Sequence, residues 1–257
     1  MTTLLQDYES SAITDEVCDA DLGDLRLNCR LMKTVQSLGA QPNLSIPAAT
    51  DRRAEMEAAY RFFDNDRVTP QKILKAHIAA TYERISRCQR VLLVQDTTEL
   101  NLTRPSKQVE GAGPMDSDVR RGAFVHTMMA FDVNGVPLGT VWQKAWARES
   151  INSSMSVAER VRLRKLTPIE GKESHRWIEG LQAGREVAAA CPETTCICIS
   201  DSESDIYELF SETQAAEAKE GNSSPPIHVI VRACRNRNTT TGNLLEDIRK
   251  TKCLEKT

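Results

Sequence analysis

No stretch of this 257-residue chain approaches the roughly 20 consecutive apolar residues that a bilayer-spanning helix needs. The longest apolar runs, such as Val91-Leu92-Leu93-Val94, are strand-sized. The first residues, Met1-Thr2-Thr3-Leu4-Leu5-Gln6-Asp7, lack the basic region and apolar core of a signal peptide, so a cytosolic (cytoplasmic) protein without a membrane partner is expected. Neither sign of charge dominates: 33 basic and 36 acidic residues leave a net charge of -3. The chain therefore lacks the overall basicity of many nucleic-acid-binding domains, whose pI is above ~9. Binding to phosphates depends on where basic residues cluster, so that balance alone does not exclude it. The eight cysteines, Cys18, Cys29, Cys88, Cys191, Cys196, Cys198, Cys234 and Cys253, form no C-x-x-C pair. Buried, reduced thiols are the expected state, not a zinc site. There is no internal repeat and no low-complexity tract. What is present is an ordinary globular composition, 40% hydrophobic and 27% charged, at a length that suits one large domain or two modest ones.

The first ninety residues read as helical. Leu22, Leu25, Leu27, Leu31, Val35 and Leu38 recur at roughly helical spacing, with Gly39 as a stop. Arg26, Arg30 and Lys33 lie between them at intervals of four and three and share a face. A loop with Pro42 and Pro47 follows. Ala54 to Phe63 forms a second helix, with Met56, Ala59, Tyr60 and Phe63 as its apolar stripe. Thr69-Pro70 opens a third helix, to about Ser86, carrying Ile73, Leu74, His77 and Ile78.

The character changes at Arg90. Val91 to Gln95 is a buried strand that ends at Asp96-Thr97-Thr98. A polar loop, roughly Thr103 to Gly122, leads to a strand from Ala123 to Val133. Asn134-Gly135 is a strong hairpin signal, and Val136 to Trp142 is the return strand. Arg148 to Thr167 is polar and ambiguous. Glu173 to Ala190 is a helix, Thr195 to Ser200 a strand ending at Asp201, Ser204 to Ala215 a helix, and Ile227 to Val231 a third apolar strand. A short helix signal lies near Leu244 to Ile248. This order predicts helices first, then a mixed sheet flanked by helices, an α+β or α/β chain.

Two acids stand out by position, because Asp96 and Asp201 each follow an apolar strand. The strand fixes the backbone while its end opens to solvent, which suits a catalytic carboxylate. On neighbouring strands the two charges would repel, and a divalent cation would remove that repulsion. Hard oxygen ligands without histidine or cysteine suit Mg2+ or Mn2+. A pair of such ions about 3.5–4 Å apart is the usual device for in-line displacement at phosphorus. Spacing alone leaves another reading open: Asp201 as the cap of the helix near Ser204, and Asp96 as the holder of a turn.

Val94-Gln95-Asp96-Thr97-Thr98-Glu99-Leu100-Asn101 and Ser200-Asp201-Ser202-Glu203-Ser204-Asp205-Ile206-Tyr207 resemble the two aspartate motifs of DDE transposases, most closely the insertion-sequence-four family. Further blocks agree in the same order. Leu22-Gly23-Asp24-Leu25-Arg26 is similar to the N-terminal DNA-binding segment. Ala59-Tyr60-Arg61-Phe62-Phe63-Asp64-Asn65, with Val68, resembles the second block. Gly122-Ala123-Phe124-Val125-His126-Thr127 is similar to the strand after the first aspartate. Lys172-Glu173-Ser174-His175-Arg176-Trp177 resembles a lysine-glutamate-serine-x-x-tryptophan stretch, and Val229-Ile230-Val231-Arg232 a strand ending in a DNA-contacting arginine.

The resemblance implies a helical DNA-binding domain over residues 1–90 and an RNase H-like catalytic core from 91 to 257. It implies DNA transposition with two Mg2+ or Mn2+ ions, transposon-end DNA as partner and a homodimer on that DNA. Asp96 and Asp201 would be the catalytic, metal-holding members of an Asp-Asp-Glu triad. Arg26, Arg30, Lys33, Arg61, Arg104, Arg120, Arg121, Arg232, Arg235 and Arg237 would meet phosphates. Lys107 brackets the same loop as Arg104. The family's third acid lies on a later helix in a tyrosine-x-x-arginine-x-x-x-glutamate pattern. After Arg232 only Glu246 and Glu255 remain, and neither sits in that pattern. The expected core is therefore incomplete, an N-terminal portion of such an enzyme with impaired catalysis. A non-catalytic DNA-binding or transposition-inhibiting protein and a gene remnant are the alternatives. His126 is expected as a satisfied strand histidine, Trp142, Trp146 and Trp177 as core or interface, and Asp205 as a helix-start acid.

Overall fold

The computed structural model describes residues 13–104, 107, 109–117, 119–149, 156–217 and 227–251. The chain divides into two compact units, residues 1–87 and 88–257.

The first unit is helical: α1 (Leu25–Ala40), the single turn α2 (Ile46–Ala49), α3 (Arg53–Phe63) and α4 (Pro70–Ile85). Asp24 caps α1 by accepting the Arg26 N–H, and Thr69 caps α4 with Pro70 in its first turn. The core joins Val17, Ala20, Leu22, Leu31, Phe62 and Ala76, with Leu27, Met32, Val35, Val68 and Ile73 packed against it. The apolar stripe expected on α3 is rotated. Ala59 and Phe62 are buried, while Tyr60 and Phe63 are each 49% exposed. Leu25 likewise faces solvent, because the cap at Asp24 makes it the first helical residue, outside the packed face. Glu16 fastens α4 by accepting from both Arg84 guanidinium nitrogens (2.8 and 2.9 Å) and pairing with His77 Nδ1 at 2.7 Å.

The second unit is a six-stranded mixed sheet. Its strands are β1 (Arg90–Asn101), β2 (Gly113–Pro114), β3 (Arg121–Phe131), β4 (Pro137–Trp146), β5 (Thr195–Ser200) and β6 (His228–Val231). The order is β2-β3-β1-β5-β6, with β4 also pairing β3. β1, β5 and β6 are parallel, and β3 runs antiparallel to both β1 and β4. The helices are α5 (Val157–Leu166), α6 (His175–Ala190), α7 (Tyr207–Glu217) and α8 (Leu244–Lys250). The β3–β4 hairpin turns at Asn134-Gly135 as expected. Gly135 takes φ 83°, and the Asp132 carboxylate accepts from the Asn134 and Val136 N–H groups, each at 2.8 Å.

β1 and the helix expected from Ser204 depart most from expectation, while β4 runs on to Trp146 and the loop before β3 holds the short strand β2. β1 does not stop near Asp96; antiparallel pairing with β3 carries it on to Asn101, opposite Gly122. The helix expected from Ser204 is instead a 3-10 turn at Ser202–Ser204 followed by α7 from Tyr207. The proline pair Pro225-Pro226, Cys253 and Glu255 lie outside the described residues.

Helix α6 covers one face of the sheet. Strict alternation buries Val91, Leu93, Gln95, Phe124, His126, Met128, Cys196, Cys198 and Ser200 on that face, while Leu92, Val94, Ile197 and Ile199 opposite are half-buried. Two glycines allow the close approach. A Cβ at Gly180 would lie 2.2 Å from Gln95 Oε1, and one at Gly184 2.7 Å from Cys198 Sγ. Burial raises the Cys196 thiol to about 11 and the Cys198 thiol to about 12, which leaves both protonated and unreactive at neutral pH.

Candidate functional site

The parallel β1–β5 ladder ends at the pair Gln95↔Ser200, and the next residue on each strand is Asp96 or Asp201. Neighbouring strands lie about 4.8 Å apart, so the two acids stand side by side where the parallel ladder ends, Asp96 still within β1 opposite Thr127 and Asp201 just past β5. Asp96 is exposed and Asp201 half-exposed. Asp96 Oδ1 accepts the Thr97 N–H at 2.8 Å, and Asp201 Oδ1 accepts the Glu203 N–H at 2.9 Å. Asp201 is thus a cap after all, of the 3-10 turn. The second oxygen of each carboxylate has no partner among the described residues. No third acid joins them there: no group of three or more His, Cys, Asp or Glu side chains able to hold a metal occurs among the described residues. Glu246 is exposed on α8.

Behind the acids runs a polar chain, buried at Gln95 and His126 and open at Glu203. Arg176, near the start of α6, donates through Nε to Thr97 Oγ1 at 3.0 Å and through Nη2 to the Glu203 carboxylate. Thr97 Oγ1 lies 2.8 Å from His126 Nδ1, and His126 Nε2 lies 3.2 Å from Gln95 Oε1. Arginine can only donate, so the Thr97 hydroxyl passes its proton onward to Nδ1, and Nε2–H then donates to the amide oxygen. This assigns a neutral His126 with the proton on Nε2. Desolvation in the first place, then the nearby charges of Arg176 and Lys144, pushes its pKa down to about 3. The expected satisfied strand histidine is what the structure contains. It also packs edge-on against Trp177, with ring centroids 4.4 Å apart. The chain ties Thr97, next to Asp96, to Glu203, two residues past Asp201, and so braces both acids from below.

The depressed His126 pKa makes stability pH-dependent. Unfolded, the ring takes up a proton below about pH 6.5; folded, it does so only near 3. Its contribution is full above pH 6.5 and is lost as pH falls toward 3. Urea unfolding of this unit is expected to show about 2 kcal/mol less stability at pH 5 than at pH 7. His126→Gln should flatten that slope, whereas equal stability of the parent at both pH values would refute the assignment.

The basic positions separate into paired and open ones. Arg26 is bonded to Asp24, Arg30 to Glu55, Arg120 to Asp116 (2.8 Å) and Glu99 (3.4 Å), and Arg237 to Asp205 at 2.6 Å. Arg121 is half-buried, with its Nε buried and without a hydrogen-bond partner among the described residues. Lys33, Arg61, Arg104, Lys107, Arg232 and Arg235 are exposed. Arg232 stands beside the Asp201 turn: its N–H donates to the Ser200 carbonyl and its Nη2 to Ser202 Oγ, both at 3.2 Å.

Asp205 is not a helix-start acid. It is buried, and its carboxylate accepts the Cys234 and Arg235 N–H groups (2.8 and 3.0 Å) together with Arg237 Nε (2.9 Å), anchoring the segment after β6. Burial alone would raise its pKa; the Cys234 N–H and the Arg237 guanidinium outweigh it and hold the group at about 2. The sequence signal for this clamp was the density of arginines after β6, read as a DNA surface although one of them is engaged internally.

Residues 9–68 match the family model for the transposase DNA-binding domain. The match covers α1 to α3 and stops short of α4, although Ile73 and Ala76 of α4 belong to the same core. It supports a transposase role with DNA as partner. No helix among the described residues is long and apolar enough to cross a membrane.

Proposed function

We propose that the chain is a DNA transposase component of the DDE, insertion-sequence-four type, with an RNase H-like core. In this reading α1 to α4 hold transposon-end DNA, and Asp96 and Asp201 supply two of three metal-holding acids. The observation that carries it is the placement of both carboxylates directly beyond the last rung of one parallel ladder, in a chain whose N-terminal residues match a transposase DNA-binding domain. The strand order, antiparallel β4-β3-β1 continued by parallel β5 and β6, supports the RNase H-like reading.

The donor set fits a hard divalent cation. Each acid keeps one oxygen without a hydrogen-bond partner among the described residues, and Mg2+ is often held by one or two carboxylates plus substrate phosphates. Such an ion would supply charge stabilisation at a phosphodiester. Asp96 and Asp201 would hold it, the Arg176–Thr97–His126–Gln95 chain would keep their strands in place, and Arg232 would lie beside the phosphate. Homodimer formation on DNA belongs to the same proposal.

The second reading, a DNA-binding or assembly-inhibiting protein without catalysis, is favoured by the lack of a third acid beside Asp96 and Asp201 among the described residues. Gel shifts with duplexes carrying the flanking inverted repeats, combined with nicking assays in Mg2+ and Mn2+, test both. The expected result is salt-dependent binding unaffected by Asp96→Ala, with little or no nicking. Strong Mg2+-dependent nicking abolished by Asp96→Ala would overturn the impairment and remove the second reading. Indifference to every DNA tested would remove both.

A further inference from the structure

The segment between β4 and α6 forms an excursion closed at its neck. Arg148 Nε and Nη2 donate to the two Glu173 carboxylate oxygens, each at 2.6 Å, and Trp146 Nε1 reaches the same carboxylate at 3.4 Å. Arg148 Nη1 also donates to the Met115 carbonyl at 3.0 Å, and its guanidinium lies 4.2 Å from the Phe124 ring centroid. Bidentate arginine–carboxylate pairs of this kind fix geometry as well as adding energy.

Beyond the neck stands α5. A reciprocal capping box between Ser156 and Glu159 starts it, but none of its described side chains is buried. Val161, Leu163 and Leu166 are 49%, 55% and 71% exposed. A ten-residue helix whose described side chains are all exposed is marginal in water. Its exposed cations Arg162, Arg164 and Lys165 form no ion pair among the described residues, in contrast to Arg26, Arg30, Arg120 and Arg237. Its one described acid, Glu159, is committed to the cap.

The topology places this helix at the end of the sheet that carries the acids. β4 runs in the direction of β1, since both are antiparallel to β3. Trp146 pairs with Phe124, which pairs with Glu99, three residues past Asp96. The other stem ends at α6, whose Arg176 bonds Thr97. Both stems are thus anchored beside Asp96, and a duplex that presents a phosphodiester to Asp96 and Asp201 passes the same edge.

We infer that α5 is a phosphate-gripping arm that binds the DNA backbone next to Asp96 and Asp201, separately from the N-terminal helices. The inference rests on the DNA reading proposed above. Unneutralised positive charge on both flanks of an exposed helix complements the two phosphate rows that border a groove.

The test uses the full chain, the R162Q/R164Q/K165Q variant and a charge-preserving R162K/R164K/K165R variant, with inverted-repeat duplex as probe. The slope of log affinity against log salt is expected to weaken by about two to three units in the first variant, near 0.9 per lost phosphate contact. The second variant should keep the parent slope, and all three proteins should melt at one temperature. DNA should also protect Arg162 and Arg164 from trypsin. An unchanged slope with undiminished cutting would overturn the arm while leaving the wider DNA reading intact. Failure of the parent to bind any duplex would overturn both. Protection by polyglutamate but not by DNA, or early melting of the neutralised variant, would also overturn it.

Discussion

Asp205→Ala is expected to destabilise the sheet unit by about 3–5 kcal/mol, the range for breaking a buried ion pair from one side. The side chain is 1% exposed, and it satisfies two backbone N–H groups and the Arg237 guanidinium at once. Alanine would leave all of these donors facing a cavity, with Arg237 stranded over the Phe210 ring. All three tryptophans, Trp142, Trp146 and Trp177, lie in this unit, so urea unfolding followed by their fluorescence reports on it alone. A loss below about 1 kcal/mol would refute the clamp. Arg237→Gln should likewise lower stability and leave the salt dependence of DNA binding unchanged, because that guanidinium is already engaged. Arg232 and Arg235, which the clamp presents outward, should behave the opposite way. Asp205 thus keeps Arg232 near the Asp201 turn while touching no substrate itself.

The order of elements was readable because each obeys a local rule. A β-rich composition marks β3, a short apolar run marks β5, Asn134-Gly135 marks the hairpin, and Thr69-Pro70 marks the start of α4. The adjacency of Asp96 and Asp201 followed from two apolar runs that each end at an acid. What could not be read is what long-range pairing decides. β1 runs on through polar Thr97 to Asn101 because β3 supplies a ladder for it, and nothing in those residues announces a strand. Phe63 is as apolar as Phe62, and only packing in one core with Leu22 and Leu31 selects which one enters it. Arg26, Arg30, Arg120 and Arg237 look identical in sequence to unpaired arginines; their carboxylate partners lie from two to 32 residues away. Helix α5 was ambiguous for the opposite reason. Its described side chains are all exposed, so no packed apolar stripe marks it.

The resemblance of Lys172 to Trp177 to a family stretch acquires a physical content from the same contacts. Glu173 closes the neck, Arg176 braces Thr97 and Glu203, and Trp177 fills the core beneath them. Trp177→Ala is accordingly expected to cost about 3–5 kcal/mol, the range for deleting a fully buried large aromatic. The loss should exceed simple burial, because the indole walls His126 at 4.4 Å and lies 5.2 Å from the Arg176 guanidinium. Water entering that space would compete for the hydrogen bonds that hold Thr97 and Gln95 on either side of Asp96. Trp177→Phe should cost much less: a ring remains against the imidazole, and the indole N–H, which has no hydrogen-bond partner among the described residues, is removed. Urea unfolding monitored by circular dichroism separates the two variants without relying on the tryptophan that was replaced. If alanine and phenylalanine destabilise equally, the contact with His126 contributes nothing, and the support assigned to this side chain beneath Asp96 is wrong.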